Sequence, residues 1–240
     1  MTPPLFLATS LVDARPGSRL ALEGDEARHA VSVRRVRVGE RLWIGDGRGR
    51  ICEGPVDSIG RHALSLLVDV VRDEPEPAAR IVVVQALARG GRDETAVETM
   101  TELGVDEVIG WEAARSIARW SDRTLSRWQA TARAATKQSR RAWLPGVSGP
   151  ATTAQVRARI ADAALAVVLD GCAEAPIGQL SLAPGETVLV VGPEGGFAET
   201  ELTAFADAGA VTARLGPNVL RSSTAGAAAI SALSATSRWS

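Results

Sequence analysis

The stretch VLVVGPEGGFAETEL, Val188 to Leu202, joins four consecutive apolar residues to Gly-Pro-Glu-Gly-Gly and then to a segment with helical character. An unbroken apolar run reads as a strand buried on both faces. The glycine-rich turn after it lets a ligand approach the backbone, and the residues that follow begin a helix. Strand, glycine turn and helix in that order are the unit of a parallel sheet, whose ligands sit at the carboxyl ends of the strands.

The same unit recurs on either side. Leu165–Leu169 is an apolar strand running into Asp170-Gly171, and Val211–Leu215 runs into Gly216-Pro217-Asn218-Val219-Leu220-Arg221. A helix over Glu199–Ala208 separates the last two strands. Upstream, Ile81–Leu87 reads as a strand. Asp93–Leu103 reads as a helix with Ala96, Val97, Met100 and Leu103 on one stripe, closed by Gly104, and Val105–Ile109 as the next strand. A basic helix is expected over Asp122–Arg141. The fold class expected for this half is therefore α/β, with a mostly parallel sheet covered by helices on both faces. The final helix, Ser223–Thr236, is rich in Ala, Gly and Ser, which permits close approach to another helix in the same subunit or in a partner.

The first seventy residues differ. Ser18–Leu22, Arg41–Ile44, Arg50–Val56 and Leu64–Val71 are short apolar or alternating runs, and only Gly24–Val33 has helical spacing. They predict a small β-barrel or sandwich. Asp73-Glu74-Pro75-Glu76-Pro77 suits neither a helix nor a central strand, which places a domain boundary there, with regions 1–73 and 74–240 on either side.

Composition narrows the function. The 240 residues are 45% hydrophobic and 23% charged, as in a soluble globular protein. No run approaches 18 uncharged apolar residues, and MTPPLFLATSLVDARPG lacks the features of a signal peptide, so a cytoplasmic protein without membrane contact is expected. Cys52 and Cys172 lie far apart, and His29 and His62 are the only histidines, so no metal centre is expected. The single lysine, Lys137, is remote from any glycine loop, which excludes a Walker phosphate site. Ala88-Arg89-Gly90-Gly91-Arg92 lacks dinucleotide spacing, and no GxSxG elbow occurs. A nucleoside-like ligand without a polyphosphate, held by backbone groups, remains. Charge is unevenly spread: residues 73–112 hold three basic against ten acidic residues, whereas 113–145 hold eight against the lone Asp122. Arg115, Arg119, Arg123 and Arg127 recur every four residues, which gives one basic face if the segment is helical throughout. With so few acidic partners, that face favours an anionic partner. Trp120, Trp128 and Trp143 among them read as core or interface anchors.

Taken together, GPEGGF at 192–197, LGPNVLRSSTA at 215–225, TELGV at 101–105, ARS at 114–116 and the KQSRR run from 137 resemble the RsmE family of ribosomal RNA methyltransferases, of the SPOUT class. The N-terminal region is similar as well, with His29 in an alternating Val/Arg run that ends at Val38-Gly39-Glu40, followed by Asp46-Gly47-Arg48-Gly49. The resemblance implies a PUA-like RNA-binding barrel followed by a trefoil-knotted α/β domain. It implies an obligate homodimer and S-adenosylmethionine as cofactor, with transfer of a methyl group to N3 of one uridine in 16S ribosomal RNA, expected within the assembled 30S subunit.

The resemblance also implies roles for particular residues. Leu169, Gly171, Gly192, Pro193, Gly195, Gly196, Leu215, Gly216, Leu220, Thr224 and Ala225 would line the cofactor site. Arg221 is the first candidate to stabilise the uridine as it loses its N3 proton, and Arg115 the second. Relatives often carry a glutamate where this chain has Ser223, so Glu194 stands as a substitute proton acceptor; Asn218 also replaces a commonly basic residue. Arg34, Arg35, Arg89, Arg92, Arg119, Arg123, Lys137 and Arg140 are candidates for contact with RNA. Two alternatives stand beside this reading: a SPOUT enzyme acting on another RNA or at ribose O2′, and a noncatalytic RNA-binding factor.

Overall fold

A computed structural model describes residues 2–61, 63–88 and 91–239, which divide into two compact units. The first contains strands β1 (Leu5–Leu7), β2 (Arg19–Glu23), β3 (Arg41–Gly45), β4 (Arg50–Ile59), β5 (Ala63–Leu67) and β6 (Val70–Asp73). They form one sheet in the order β1-β3-β4-β5-β2, with β6 also paired to β4. β1 runs parallel to β3 and the remaining pairs are antiparallel. Leu64 and Leu66 alternate inward along β5 and pack with Phe6, Leu22, Leu42, Ile44 and Cys52. β1 was not legible, since three buried residues carry no period. The expected single strand over 64–71 breaks at Val68-Asp69, whose amides bond Ser18 and Glu53. Helical spacing over 24–33 is realised as α1 (Gly24–Arg28) followed by a wider π-helical turn, His29–Val33.

This unit runs to Glu76 and also takes in Thr136–Leu144, a segment that returns to it from far along the chain. That segment is tied in by side chains the linear reading could not pair. Lys137 Nζ sits 3.1 and 3.2 Å from the two carboxylate oxygens of Glu26. Arg140 donates to the carbonyls of Pro3 and Thr2, and Trp143 Nε1 to that of Glu74 at 3.1 Å.

The second unit is built on six strands: β7 (Ala79–Ala86), β8 (Glu107–Trp111), β9 (Gly146–Ala151), β10 (Leu165–Leu169), β11 (Gly185–Val191) and β12 (Val211–Ala213). Every pair in the order β12-β10-β11-β7-β8-β9 is parallel. The helices are α2 (Arg92–Glu102), α3 (Asp122–Ser139, whose last four residues belong to the first unit), α4 (Thr153–Asp162), α5 (Glu199–Asp207) and α6 (Ser222–Ser234). Successive residues of β7 point to opposite faces. Ile81 and Val83 meet Ala96, Val97 and Met100 of α2 and Ala229, Ile230 and Leu233 of α6. Val82 and Val84 meet Val156 and Ile160 of α4 and Phe205 of α5. Full burial of each such Val or Leu contributes about 1.5–3 kcal/mol relative to exposure. Arg159 of α4 bonds Glu107 at 2.7 Å and Glu186 at 2.6 Å, joining the starts of β8 and β11.

Three expectations are corrected here. β8 begins at Glu107, two residues after the expected start, because Val105 is buried in the turn where its amide bonds the carbonyl of Met100. β12 ends at Ala213. The arginine stripe is not one helical face: α3 starts only at Asp122, where Ser121 Oγ accepts from the amide of Thr124, so Arg115 and Arg119 precede the helix. Arg127 is paired with Glu94 at 3.2 Å.

Candidate active site

The loops after β10, β11 and β12 and the first turn of α6 enclose a cleft of about 580 Å³ at the carboxyl edge of the second unit's sheet. Parallel strands put it there: they all end on one side, and the polypeptide must leave each through a loop with unpaired backbone groups. Leu169, Val191, Leu215, Leu220 and Ala225 give the cleft apolar walls. Asp170, Glu194, Arg92 and Arg221 supply its charges.

Each loop has a local reason for its shape. After β11, Gly192 faces the ring of Phe197, which a Cβ would approach to 2.9 Å. Phe197 is itself stacked on buried Trp111, with ring centroids 5.9 Å apart. Gly196 has φ +69°, a left-handed conformation that suits glycine. After β10, the amide of Cys172 bonds Asp170 Oδ1 at 3.0 Å and closes an Asx turn that leaves Gly171 and Cys172 exposed in the cleft. After β12, the chain crosses exposed Asn218, Val219 and Leu220 before Arg221 caps α6. The leading N–H groups of α6 have no carbonyl within the helix to bond, so this border of the cleft suits an anionic group.

The cleft unites most of the cofactor candidates: Leu169, Gly171, Gly192, Pro193, Gly196, Leu215, Leu220 and Ala225. Gly195, Gly216 and Thr224 stand outside its lining. Gly195 instead backs onto Arg115, and Gly216 takes a left-handed φ of +143°. The amide of Thr224 bonds the carbonyl of Arg221. Of the catalytic candidates, Arg221 and Glu194 line the cleft, and both are exposed. Arg115 lies behind the glycine loop, where its Nη1 donates to the carbonyl of Gly195 at 3.3 Å.

The candidates for RNA contact scatter. Arg92, the first residue of α2, turns out to line the cleft. Arg119 and Arg123 are exposed on the second unit, and Arg34 and Arg35 on the first. Lys137 is held in its half-buried ion pair with Glu26, and Arg140 is spent on the carbonyls of the N-terminal strand's approach. Arg89 lies outside the described residues. Trp128 is fully buried and donates to Asp93 at 2.9 Å, and Trp120 packs edge-on against it. Sequence reasoning missed Cys172, Phe197 and Ser222 in the lining, and it missed buried Glu201, which accepts from the Ala198 amide at the start of α5 and which no capping side chain at Ala198 announces. Among the described residues no group of three or more His, Cys, Asp or Glu is placed to hold a metal, and no helix is long and apolar enough to cross a membrane.

A family profile described as an RNA methyltransferase domain matches residues 74–234, and one described as an RNA methyltransferase PUA domain matches 22–69. The ribosomal RNA small subunit methyltransferase E of Mycobacterium bovis is 43% identical over the whole of this chain and 94% of its own length. The chain belongs to the ribosomal RNA small subunit methyltransferase E family. The Bacillus subtilis member is 29% identical over 89% of each chain. The methyltransferase E of Neisseria gonorrhoeae, solved with S-adenosyl methionine bound, superposes with a TM-score of 0.85 at 26% identity, covering 98% of both chains. Family membership thus accounts for both units, with the PUA match in the first and the methyltransferase match over the half that carries the cleft.

Proposed function

We propose that this protein transfers a methyl group from S-adenosylmethionine to N3 of one uridine in 16S ribosomal RNA. The observation that carries the reading is the cleft itself, in which three strand-end loops and a helix start converge on a volume suited to a nucleoside-sized ligand. Its chemistry fits S-adenosylmethionine. Leu169, Val191, Leu215, Leu220 and Ala225 offer apolar surface for an adenine, and the α6 N-terminus suits a carboxylate. Asp170 and Glu194 offer negative charge to an amine or a sulfonium. When bound, the cofactor supplies a methyl group on a sulfonium, a neutral thioether being left behind.

The remaining work falls to side chains. Uridine N3 becomes a nucleophile once its proton is gone, and the charge then spreads over the neighbouring carbonyl oxygens. Arg221, exposed on the lining of the cleft, is the group that stabilises that charge, Arg115 beside the glycine loop is the second, and Arg92 lies on the cleft lining to assist. Glu194 is the proton acceptor in this reading, Ser223 having no basic group to offer. Arg34, Arg35, Arg119 and Arg123 remain exposed to meet phosphates of the RNA.

The reading extends to features of the family resemblance beyond the cleft. Residues 1–73 act as an RNA-binding barrel and 74–240 as the methyltransferase region, with the cleft loops threaded as a trefoil knot. The enzyme works as a cytoplasmic homodimer on the assembled 30S subunit. The strand order β12-β10-β11-β7 puts β12 at the sheet's edge, whereas α6, which follows it, packs on β7 further in, and this return of the chain supports the knotted reading. The experiment is transfer from labelled S-adenosylmethionine to 30S subunits that lack uridine N3 methylation, with nucleoside analysis. Expected is 3-methyluridine in 16S RNA; label on a ribose oxygen, or on no nucleoside while the cofactor binds, would overturn the reading.

A further inference from the structure

Glu201, on the first turn of α5, is 3% exposed, lies outside the cleft lining and, among the described residues, forms no ion pair. Its two carboxylate oxygens serve two different segments. Oε2 accepts from the amide of Ala198, at the end of the glycine loop, at 2.9 Å. Oε1 accepts from the amide of Ala114 at 2.7 Å, across 87 residues of sequence. A bond of this kind, from a backbone N–H to a buried carboxylate, is among the stronger hydrogen bonds a protein makes.

The segment so fastened carries Arg115, and it rests directly on the glycine loop. A Cβ on Gly195 would lie 3.2 Å from Arg115 Cβ and 3.3 Å from its carbonyl oxygen, and Arg115 Nη1 donates to the Gly195 carbonyl. The segment is otherwise held by the burial of Ala113 in the core and, just before it, by the Glu112 amide on the Ala151 carbonyl; Ser116 bonds locally, through its amide to Ala113, and among the described residues its buried hydroxyl has no partner. We infer that Glu201 is a positioning residue that fastens the Arg115 segment to the glycine loop, so that an occupied cofactor cleft and a correctly placed Arg115 come together. The role in catalysis rests on the proposed methyl transfer; the fastening itself does not.

Glu201→Gln is the test, because glutamine retains the size and keeps one acceptor while losing the other. In the ligand-free protein, hydrogen exchange at the Ala114 and Ala198 amides should accelerate about tenfold or more in at least one of the two, with the melting temperature little changed. Unchanged exchange at both would overturn the fastening without reference to activity. With S-adenosylmethionine added, the native protein should slow exchange over both 113–116 and 192–198, whereas the variant should show slowing over 192–198 alone. Slowing over 113–116 that persists in the variant would overturn the coupling. In turnover, kcat should fall about tenfold with a smaller change in the cofactor KM, and the loss should vanish in an Arg115→Ala background. Losses that simply multiply would overturn the route through Arg115. An absence of methyl transfer by the native protein would sink the proposed function and leave the exchange result to decide the fastening.

Discussion

Gly192 ends a buried strand at a point where a side chain has no room. In Gly192→Ala the new methyl would stand 2.9 Å from the Phe197 ring, and Phe197 cannot retreat because it is stacked on fully buried Trp111. The glycine loop must then shift into the cleft. Expected is at least a tenfold weaker affinity for S-adenosylmethionine by calorimetry, with a melting temperature lowered only modestly. The two cysteines give a second measurement at this scale. Cys172 is exposed in the cleft, whereas Cys52 is buried, and that burial raises the pKa of its thiol. A maleimide should therefore label Cys172 in the native protein and leave Cys52 untouched until unfolding. Saturating S-adenosylmethionine should slow the labelling of Cys172; labelling at an unchanged rate would place the cofactor elsewhere.

At the scale of elements, α6 lies so close to α2 that a Cβ on Gly226 would come within 2.5 Å of Met100 Sδ. Gly226→Ala should cost about 1–3 kcal/mol in urea unfolding, the gain in helix propensity being overridden by overpacking. At the edge of the first unit, Arg50 bonds both oxygens of Asp73, at 2.7 and 3.0 Å, and holds that carboxyl below its usual pKa. A lowered folded pKa means that the stabilisation is fully present above the unfolded value and is lost as pH falls through the folded one. Pairing of β4 with β6 should therefore loosen in acid, below about pH 4. Asp73→Asn should remove that part of the pH dependence, as followed by amide exchange along β6. The elements easiest to read from the sequence were those with unbroken apolar runs, β7, β10 and β11, because two-sided burial leaves no ambiguity of face. β9 was hidden by Gly146, Gly149 and Pro150, which read as turn signals and are tolerated because the strand is at the sheet's edge. α4 was hidden by its narrow apolar face, Val156 and Ile160, although the box formed by Thr152 and Gln155 marks its start. Of the cleft, the loops after β10 and β11 were legible because each follows such a strand, whereas the loop after β12, a short strand of Val-Thr-Ala, was legible only from its own Gly216-Pro217 turn. The Glu201 fastening was not, because its partner is remote in sequence and nothing local announces which amide a buried carboxylate will meet.

At the scale of the whole molecule, the unit that carries the PUA match is not a continuous segment. Its strands end by residue 73, yet Thr136–Leu144 returns to complete it, and the contacts are of kinds that matter. Lys137 neutralises half-buried Glu26, Trp143 lies against Gly49 and bonds the Glu74 carbonyl, and the amides of Gly49 and Leu144 bond the carbonyls of Ala142 and Gly47. Removing the returning segment leaves Glu26 without that lysine and uncovers the backbone around Gly47 and Gly49, each unmet buried group costing about 1–3 kcal/mol. Against a typical domain stability of about 5–15 kcal/mol, losses of that size decide whether so small a unit stays folded. A fragment of residues 1–76 should therefore unfold at markedly lower urea than the same unit in the full chain. Supplying residues 136–144 through a flexible linker should restore most of the difference, and Lys137→Ala in that fusion should take part of it away again. A fragment 1–76 as stable as the intact unit would mean that the returning segment merely rests on a fold complete without it.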